Sequence, residues 1–415
     1  MMKIPVGLFF LMVTTACNWG SDVDENIAAN IRPLQVHEQD MVLSSSQFAF
    51  DLFHELQKKE DVNQFFSPFS IHQALSMAMN GNEDEIVAEF MQVLRYEGMA
   101  LGEANKAAKS LTRYLLALDP KVRLNIANAI WYRQGFEINP TFAKDVRDSY
   151  SAEIAGLDMS NPQSKDMINQ WIENNTNGMI KNMLDAVSPD AVMYLVNAIY
   201  FKADWKYRFD VDNTKKAPFY TASGQEVTVD MMQMSSPAGL RYFNDGALEY
   251  LEIPYSTGQY SMGVVIANDF ELDKKMENFS LGDLEYFREN ADTTNFILKM
   301  PKFKMGYKIN NLKEELELLG LKKPFIASPL NFSKLFNNPT EPMYINRVIH
   351  EAVIEVSERG TEAAAVTVVE IGTTSAGPSQ PRVFSLDKPF VFFIQENSSG
   401  ALLFIGKLGN PAILN

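Results

Sequence analysis

Four histidines (His37, His54, His72 and His350) and one cysteine, Cys17, are all the imidazole and thiol this 415-residue chain can bring to chemistry. None is spaced as a nucleophile–base pair or a metal-ligand set would be. There is no His-Glu-x-x-His, no phosphate-binding glycine loop and no Gly-x-Ser-x-Gly. Acids are plentiful but show no catalytic spacing, and His350 beside Glu351 is a neighbour pair that chance supplies. The pattern speaks against an enzyme, and it implies no cofactor and no metal. What remains is a chemically mild stretch, Ser357 to Gly377, rich in Ala, Val, Thr, Ser and Gly.

That stretch opens with Glu358, Arg359 and Gly360, where glycine supplies the backbone freedom of a hinge. Small and β-branched residues follow, fit for a strand, and the end reads as an exposed loop. In a strand, alternate side chains share a face. Thr361, Ala363, Ala365, Thr367 and Val369 would form one face, and Glu362, Ala364, Val366, Val368 and Glu370 the other. Both charges fall on one face, so the other could be buried inside a sheet. Small residues at Ala363 and Ala365 could enter without displacing a packed core. The residues alone leave two readings open: a segment that changes from loop to strand, or an ordinary edge strand followed by a loop.

Gly360-Thr361-Glu362-Ala363-Ala364-Ala365 resembles the reactive-loop hinge of inhibitory serpins, and Phe384-Ser385-Leu386-Asp387-Lys388-Pro389-Phe390 resembles that family's signature segment. Asn63-Gln64-Phe65-Phe66-Ser67-Pro68-Phe69-Ser70-Ile71 is similar to the opening of the family's second helix. Val196-Asn197-Ala198-Ile199-Tyr200-Phe201 resembles its central strand, Ile168-Asn169-Gln170-Trp171-Ile172 a helix between the two, and Leu251-Glu252-Ile253-Pro254-Tyr255 a later block. The blocks stand in the family's order and span residues 41–411.

The resemblance implies an α+β serpin fold, with helices packed around a large central mixed β-sheet, two further sheets and an exposed reactive loop at about 358–383. It implies an irreversible suicide-substrate inhibitor of serine endopeptidases, and possible reach to papain-like cysteine proteases. Cleavage of the loop would be followed by its insertion between strands already paired. The family's spacing, counted from Glu358, puts the reactive bond at Thr374-Ser375, with Thr373-Thr374 as the neighbouring alternative. Small side chains there suit a shallow apolar pocket, as in elastase-like enzymes. Ser67, Ser70, Asn197 and His350 match the family's shutter, a polar cluster beneath the central strands, and Trp205 matches its breach. Non-inhibitory members act as binding or carrier proteins and usually carry Pro, bulky or charged residues in the hinge. This hinge has no Pro between Gly360 and Gly377.

The N-terminus suggests a compartment. An apolar run from Val6 to Val13 is too short to span a bilayer and reads as a secretory signal over residues 1–16. Thr14-Thr15-Ala16-Cys17 resembles a bacterial lipobox, although Thr14 replaces the usual Leu, so Cys17 is expected to carry lipid. Residues 17–40, polar and acidic, would be a flexible tether at the cell envelope, on the surface or in the periplasm. With Cys17 consumed, disulfides play no part in the fold.

The net charge of −15 disfavours nucleic acid as a partner, and the 46 % hydrophobic content can build a large core for a monomer. Lys106, Lys109 and Arg113, with Lys121 and Arg123 after them, read as a solvated helix face. Sequons at Asn174, Asn278 and Asn331 read as incidental.

Several elements must position the candidate residues. Helical spacing covers 45–59. A helix at Ser70–Met79 would start on a cap from Ser67 or Ser70, with Pro68 in its first turn. Where the family often has Gly-Ala and Gly-x-Thr, this chain has Gly81-Asn82-Glu83-Asp84-Glu85, and Asn82 would cap the next helix. Val192–Phe201 and Phe296–Met300 suit buried strands. Asn311–Leu319 suits a helix ended by Gly320, and Ala352–Val356 a strand leading into the hinge. Val391–Ile394 and Ala401–Lys407 read as a closing hairpin around Asn397-Ser398-Ser399-Gly400.

Overall fold

A computed structural model describes residues 28–59, 61–338, 341–361 and 382–413. Helices crowd the first half: α1 (Val36–Gln57), α2 (Pro68–Met79), α3 (Asp84–Val93), α4 (Leu101–Leu118), α5 (Pro140–Tyr150) and α6 (Gln163–Asn175). Shorter helices follow at α7 (Leu272–Met276), α8 (Leu281–Asn290) and α9 (Lys313–Leu318).

Local chemistry explains several boundaries. The Ser67 side chain accepts the Ser70 N–H and Pro68 occupies the first turn, so α2 begins as its sequence predicts. Gly320, at φ +114°, ends the chain's run through α9. α1 begins at Val36, inside the expected 17–40 tether and well before residue 45. The reason is a half-buried ion pair: Arg32 grips both oxygens of the buried Glu38, which also accepts the Gln35 N–H at the helix start. That bond to Arg32, outweighing burial, holds the Glu38 carboxyl at about 2. Asn82 does not cap α3. It is buried, donating to the Ala78 carbonyl at 2.8 Å and accepting the Phe332 N–H at 2.8 Å, and Glu83 stands at the cap position.

The strands form two sheets. One has six strands in the order β11 (Phe303–Ile309), β12 (His350–Val356), β13 (Gly360–Thr361), β4 (Met193–Asp204), β2 (Arg123–Arg133) and β3 (Glu153–Leu157). The other has ten. It runs β1 (Asn63–Phe66), β16 (Leu402–Leu408), β15 (Phe390–Glu396), β9 (Tyr260–Ala267), β8 (Leu248–Pro254), β7 (Ala238–Asn244), β10 (Asp292–Pro301), β6 (Glu226–Gln233) and β5 (Lys215–Tyr220), with β14 (Arg382–Ser385) also on β10. The two further sheets of the expectation are thus continuous, because β10 pairs with β7 along Asp292–Phe296 and with β6 along Lys299–Pro301. The closing hairpin forms as read, with every residue of β15 and β16 buried, which is why both segments are apolar without alternation.

α2 and α6 cover opposite faces of the six-stranded sheet. The main core lies on the α2 side, with Phe65, Phe69, Phe392 and Phe404 among its aromatic residues. A smaller cluster, including Ile168, Ile172, Trp131 and Val196, seats α6 on β2 and β4.

Candidate functional site

The site is built where the six-stranded sheet receives the hinge. After β12 the chain turns through Ser357–Gly360, closed by Ser357 N–H to Gly360 O at 2.9 Å and Gly360 N–H to Ser357 O at 3.2 Å. β13 then runs back between β12 and β4, with Thr361 opposite Val356 on one side and Ala203 on the other, and Gly360 opposite Asp204. Thr361 is only 3 % exposed. The first residue of the charge-free face is therefore already a sheet residue.

An aromatic platform fixes that position. Trp205 stacks on Tyr255 with ring centroids 4.4 Å apart, and the Tyr255 hydroxyl lies 2.7 Å from the Thr361 hydroxyl. The Trp205 indole N–H donates to Ser357 O at 2.9 Å and its backbone N–H to Arg359 O at 2.6 Å. Trp205, singled out from the sequence, thus holds both ends of the turn. Tyr255 was legible only as part of a resembling block.

Glu358 is anchored by three residues distant in sequence. Its carboxylate accepts Lys302 Nζ at 3.0 Å and the Thr214 hydroxyl at 2.9 Å, and its carbonyl accepts the Phe209 N–H at 2.9 Å. Burial pushes this carboxyl up, but the backbone N–H, Lys302 and Thr214 together outweigh it and hold it below the ordinary range. Nothing in the local sequence marks Lys302 or Thr214 as partners.

Below Thr361, β4 and β12 share no ladder among the described residues, and a narrow slot lies between Ile199–Phe201 of β4 and Val353–Glu355 of β12. This corrects the expectation that the flanking strands are already paired. The two-residue β13 occupies the place between them at the top and sets their separation there. Phe65 and Phe404 line the slot on the core side, and Thr176, Met179 and Ile180, just beyond α6, on the other.

Register places Asn197 and His350 at equal height below the Thr361 crossing. Here the start of α2 bridges the slot. The Ser67 N–H donates to His350 Nε2 at 3.0 Å, and the Ser67 hydroxyl donates to Leu403 O at 2.7 Å. The Ser70 hydroxyl donates to Asn197 Oδ1, and Asn197 Nδ2 donates to Asn128 Oδ1 at 2.6 Å. His350 must keep Nε2 unprotonated to accept that bond, and burial, which pushes its pKa down to about 3, ensures it does. Ser67, Ser70, Asn197 and His350 are thus one hydrogen-bonded cluster linking β4, α2 and β12. Asn128 belongs to it and was missed, since no local pattern distinguishes it from any other strand asparagine.

Glu362, Ala363, Ala364, Ala365, Thr373, Thr374 and Ser375, like Cys17, lie outside the described residues. Lys106, Arg113, Lys121 and Arg123 are exposed, with Lys109 half-buried. Asn174 and Asn278 are exposed, whereas Asn331 is buried and donates to Lys323 O and Ile326 O, so the third sequon is closed to modification in the fold.

The chain is similar to known proteins. A family profile described as serpin (serine protease inhibitor) matches residues 43–411. A serpin-like protein of Methanosarcina acetivorans is 30 % identical over 408 residues, covering 94 % of this chain and 93 % of its own. The leukocyte elastase inhibitor of Bos taurus is 31 % identical over 380 residues, covering 89 % of this chain and 98 % of its own. Among solved structures, native tengpin, a thermophilic serpin, superposes with a TM-score of 0.81 at 28 % identity, covering 92 % of this chain and 97 % of its own. Cleaved Serpin 42Da superposes with a TM-score of 0.78 at 25 % identity, covering 90 % of this chain and 99 % of its own. The hinge set between two central strands, the polar bridge beneath it and these matches lead to one conclusion: the chain belongs to the serpin family.

Proposed function

We propose that this serpin is an irreversible suicide-substrate inhibitor of serine endopeptidases with a small apolar specificity pocket, elastase-like enzymes foremost. The observation that carries the reading is Thr361, buried between β12 and β4 at the head of a slot whose flanking strands share no ladder among the described residues. Strand addition at such a place is a general way to convert backbone hydrogen bonding into work.

In the proposed sequence the protease serine attacks the Thr374 carbonyl carbon. An acyl-enzyme ester forms, the Thr374–Ser375 peptide bond breaks, and the new amine leaves on Ser375. The segment after Thr361 then extends β13 down the slot, carrying the acylated protease with it. Each ladder bond adds about 0.5–1.5 kcal/mol, so some ten residues supply about ten kcal/mol with apolar burial included. Insertion must outrun hydrolysis of the ester. The hinge supports this: it has no proline, and its inward face bears no charge. Relatives named leukocyte elastase inhibitor support the choice of target. A binding or carrier role without inhibition is the alternative.

The test mixes the protein with elastase and with trypsin. An SDS-resistant complex with elastase, and a released peptide whose mass begins at Ser375, is the expected result. Complete cleavage without a stable complex would assign the non-inhibitory role. We further infer that Cys17 is lipidated and that the stretch from Cys17 to the start of α1 tethers a monomeric inhibitor at the cell envelope, as the Thr14-Thr15-Ala16-Cys17 run and the acids after it suggest. Cys17→Ser should then release the protein from the membrane fraction.

A further inference from the structure

A second chain of buried polar groups reaches the same half of the sheet as the His350 cluster, from a different helix. Asn128 and Asn197 are register partners in β2 and β4. While Asn197 bonds one side of Asn128, Asn128 Nδ2 donates to the Tyr150 carbonyl at 2.7 Å. That carbonyl ends α5, where the helix offers it no partner of its own. The Tyr150 hydroxyl donates to Asn105 Oδ1 on α4 at 2.8 Å. Asn105 and Asn80, the residue that ends α2, then pair amide to amide at 2.7 and 3.1 Å. Asn80, Asn105, Asn128 and Tyr150 are at most 8 % exposed.

β2 and β4 pair without interruption from Arg123–Lys202 to Tyr132–Met193, so they must move as one unit. Two side-chain bonds tie this unit to the helices on the core side: Ser70 to Asn197, partly buried, and Asn128 to Tyr150, buried. Widening the slot at the height of Asn197 carries β2 along with β4 and strains both. A buried amide pulled off its partner loses more than the bond itself, because it is left without water.

We propose that the bond from Asn128 to Tyr150, where the His350 cluster continues through Asn128 to α5, is a second latch on the β2–β4 half of the sheet. Asn105 and Asn80 are its positioning residues, and the latch sets how long the intact form resists insertion. This rests on the reading that the loop inserts. The Tyr150 ring is held from behind by the Asn105–Asn80 pair, which keeps its carbonyl in reach of Asn128 and links α4 and α2 to the moving strands.

The test compares wild type, Tyr150→Phe and Asn105→Ala. For each, the half-life of the intact form on warming is read as conversion to a species that resists urea unfolding, and the thermal midpoint of the loop-cleaved form is measured beside it. Both variants should shorten the intact half-life about three- to tenfold and leave the cleaved midpoint within about 2 °C of wild type. An unchanged half-life, or equal losses in the intact and cleaved forms, would overturn the latch, the latter showing a purely structural network. Tyr150→Phe removes one hydroxyl and keeps the ring, so it remains informative even where Asn105→Ala fails to fold. A wild-type cleaved form no more stable than the intact one would instead remove the inhibitory reading, and the latch with it, before any variant is compared.

Discussion

A Cβ placed on Gly360 would lie 2.1 Å from the carbonyl oxygen of Ala203 and 2.6 Å from the Asp204 Cα. The glycine serves close approach of two backbones, since rigid β4 main chain, and no flexible side chain, fills the space. Gly360→Ala should therefore prise β13 from β4. Complex formation should fall, with more protein cleaved per protease trapped, by about tenfold or more. Densitometry of complex and cleaved bands measures this, and an unchanged ratio would mean that β13 pairing does not contribute to trapping.

Lys302 and Glu358, 3.0 Å apart, tie the hinge to the link between β10 and β11. Glu358 is nearly buried while the Lys302 side chain is 45 % exposed, so screening limits the pair. Glu358→Gln keeps the shape and the Thr214 contact. It should cost the intact form about 1 kcal/mol in urea unfolding, with the deficit shrinking in high salt. A salt-independent loss would show that packing, and not charge, anchors the hinge.

Acid should destabilise the intact form. Burial holds His350 at about 3 and His72 at about 4, against 6.5 for a free imidazole. The unfolded chain takes up protons first, so this contribution is complete above pH 6.5 and is lost as pH falls from there toward 4 and 3. Glu38, held at about 2, adds a loss of the same sign between about 4.5 and 2. His350→Gln, which keeps a polar group in the cluster, should flatten the upper part of this profile in urea titrations run from pH 7 to pH 4. A profile as steep as that of wild type would move the effect to other groups.

Cleavage within the loop should raise the thermal midpoint, where a nick ordinarily lowers it. Thr361→Arg should abolish that rise and turn the inhibitor into a substrate. Thr361 is 3 % exposed with its hydroxyl on Tyr255, and an unpaired guanidinium there would cost several kcal/mol. Calorimetry of intact and cleaved forms decides it: a cleaved form melting at or below the intact one would leave a serpin fold with a binding role.

Specificity should move with Thr374 alone. Thr374→Arg should confer inhibition of trypsin-like enzymes and weaken inhibition of elastase, because the pocket-facing residue changes while the hinge does not. If Thr373→Arg confers it and Thr374→Arg does not, the reactive bond lies one residue earlier.

Chemistry complete within a few residues could be read from the chain alone. Ser67 and Pro68 start α2 because a cap and a first-turn proline act on their immediate neighbours. β15 and β16 read as a hairpin because their apolar runs flank a polar turn. Gly360 could be marked as a hinge glycine, but the reason found, the backbone of β4 pressed against it, lies in a strand more than a hundred residues earlier. The Ser67–His350 bond joins residues 283 apart, and Thr214 and Lys302 reach Glu358 across 144 and 56. Resemblance to a family supplied the cluster's members, yet no spacing in the sequence reveals which backbone groups they meet, or that Asn128 completes them. The sequence by itself determined the start of α2, the apolar hairpin and a hinge segment with one charge-free face, because capping, alternation and backbone freedom are local properties. Tertiary structure alone decided that β4 and β12 stand apart below Thr361, and that Asn197 and His350 stand level across the slot. Strand order and register are set by pairing among distant segments, and one strand inserted between two others displaces every cross-strand neighbour it would otherwise have joined.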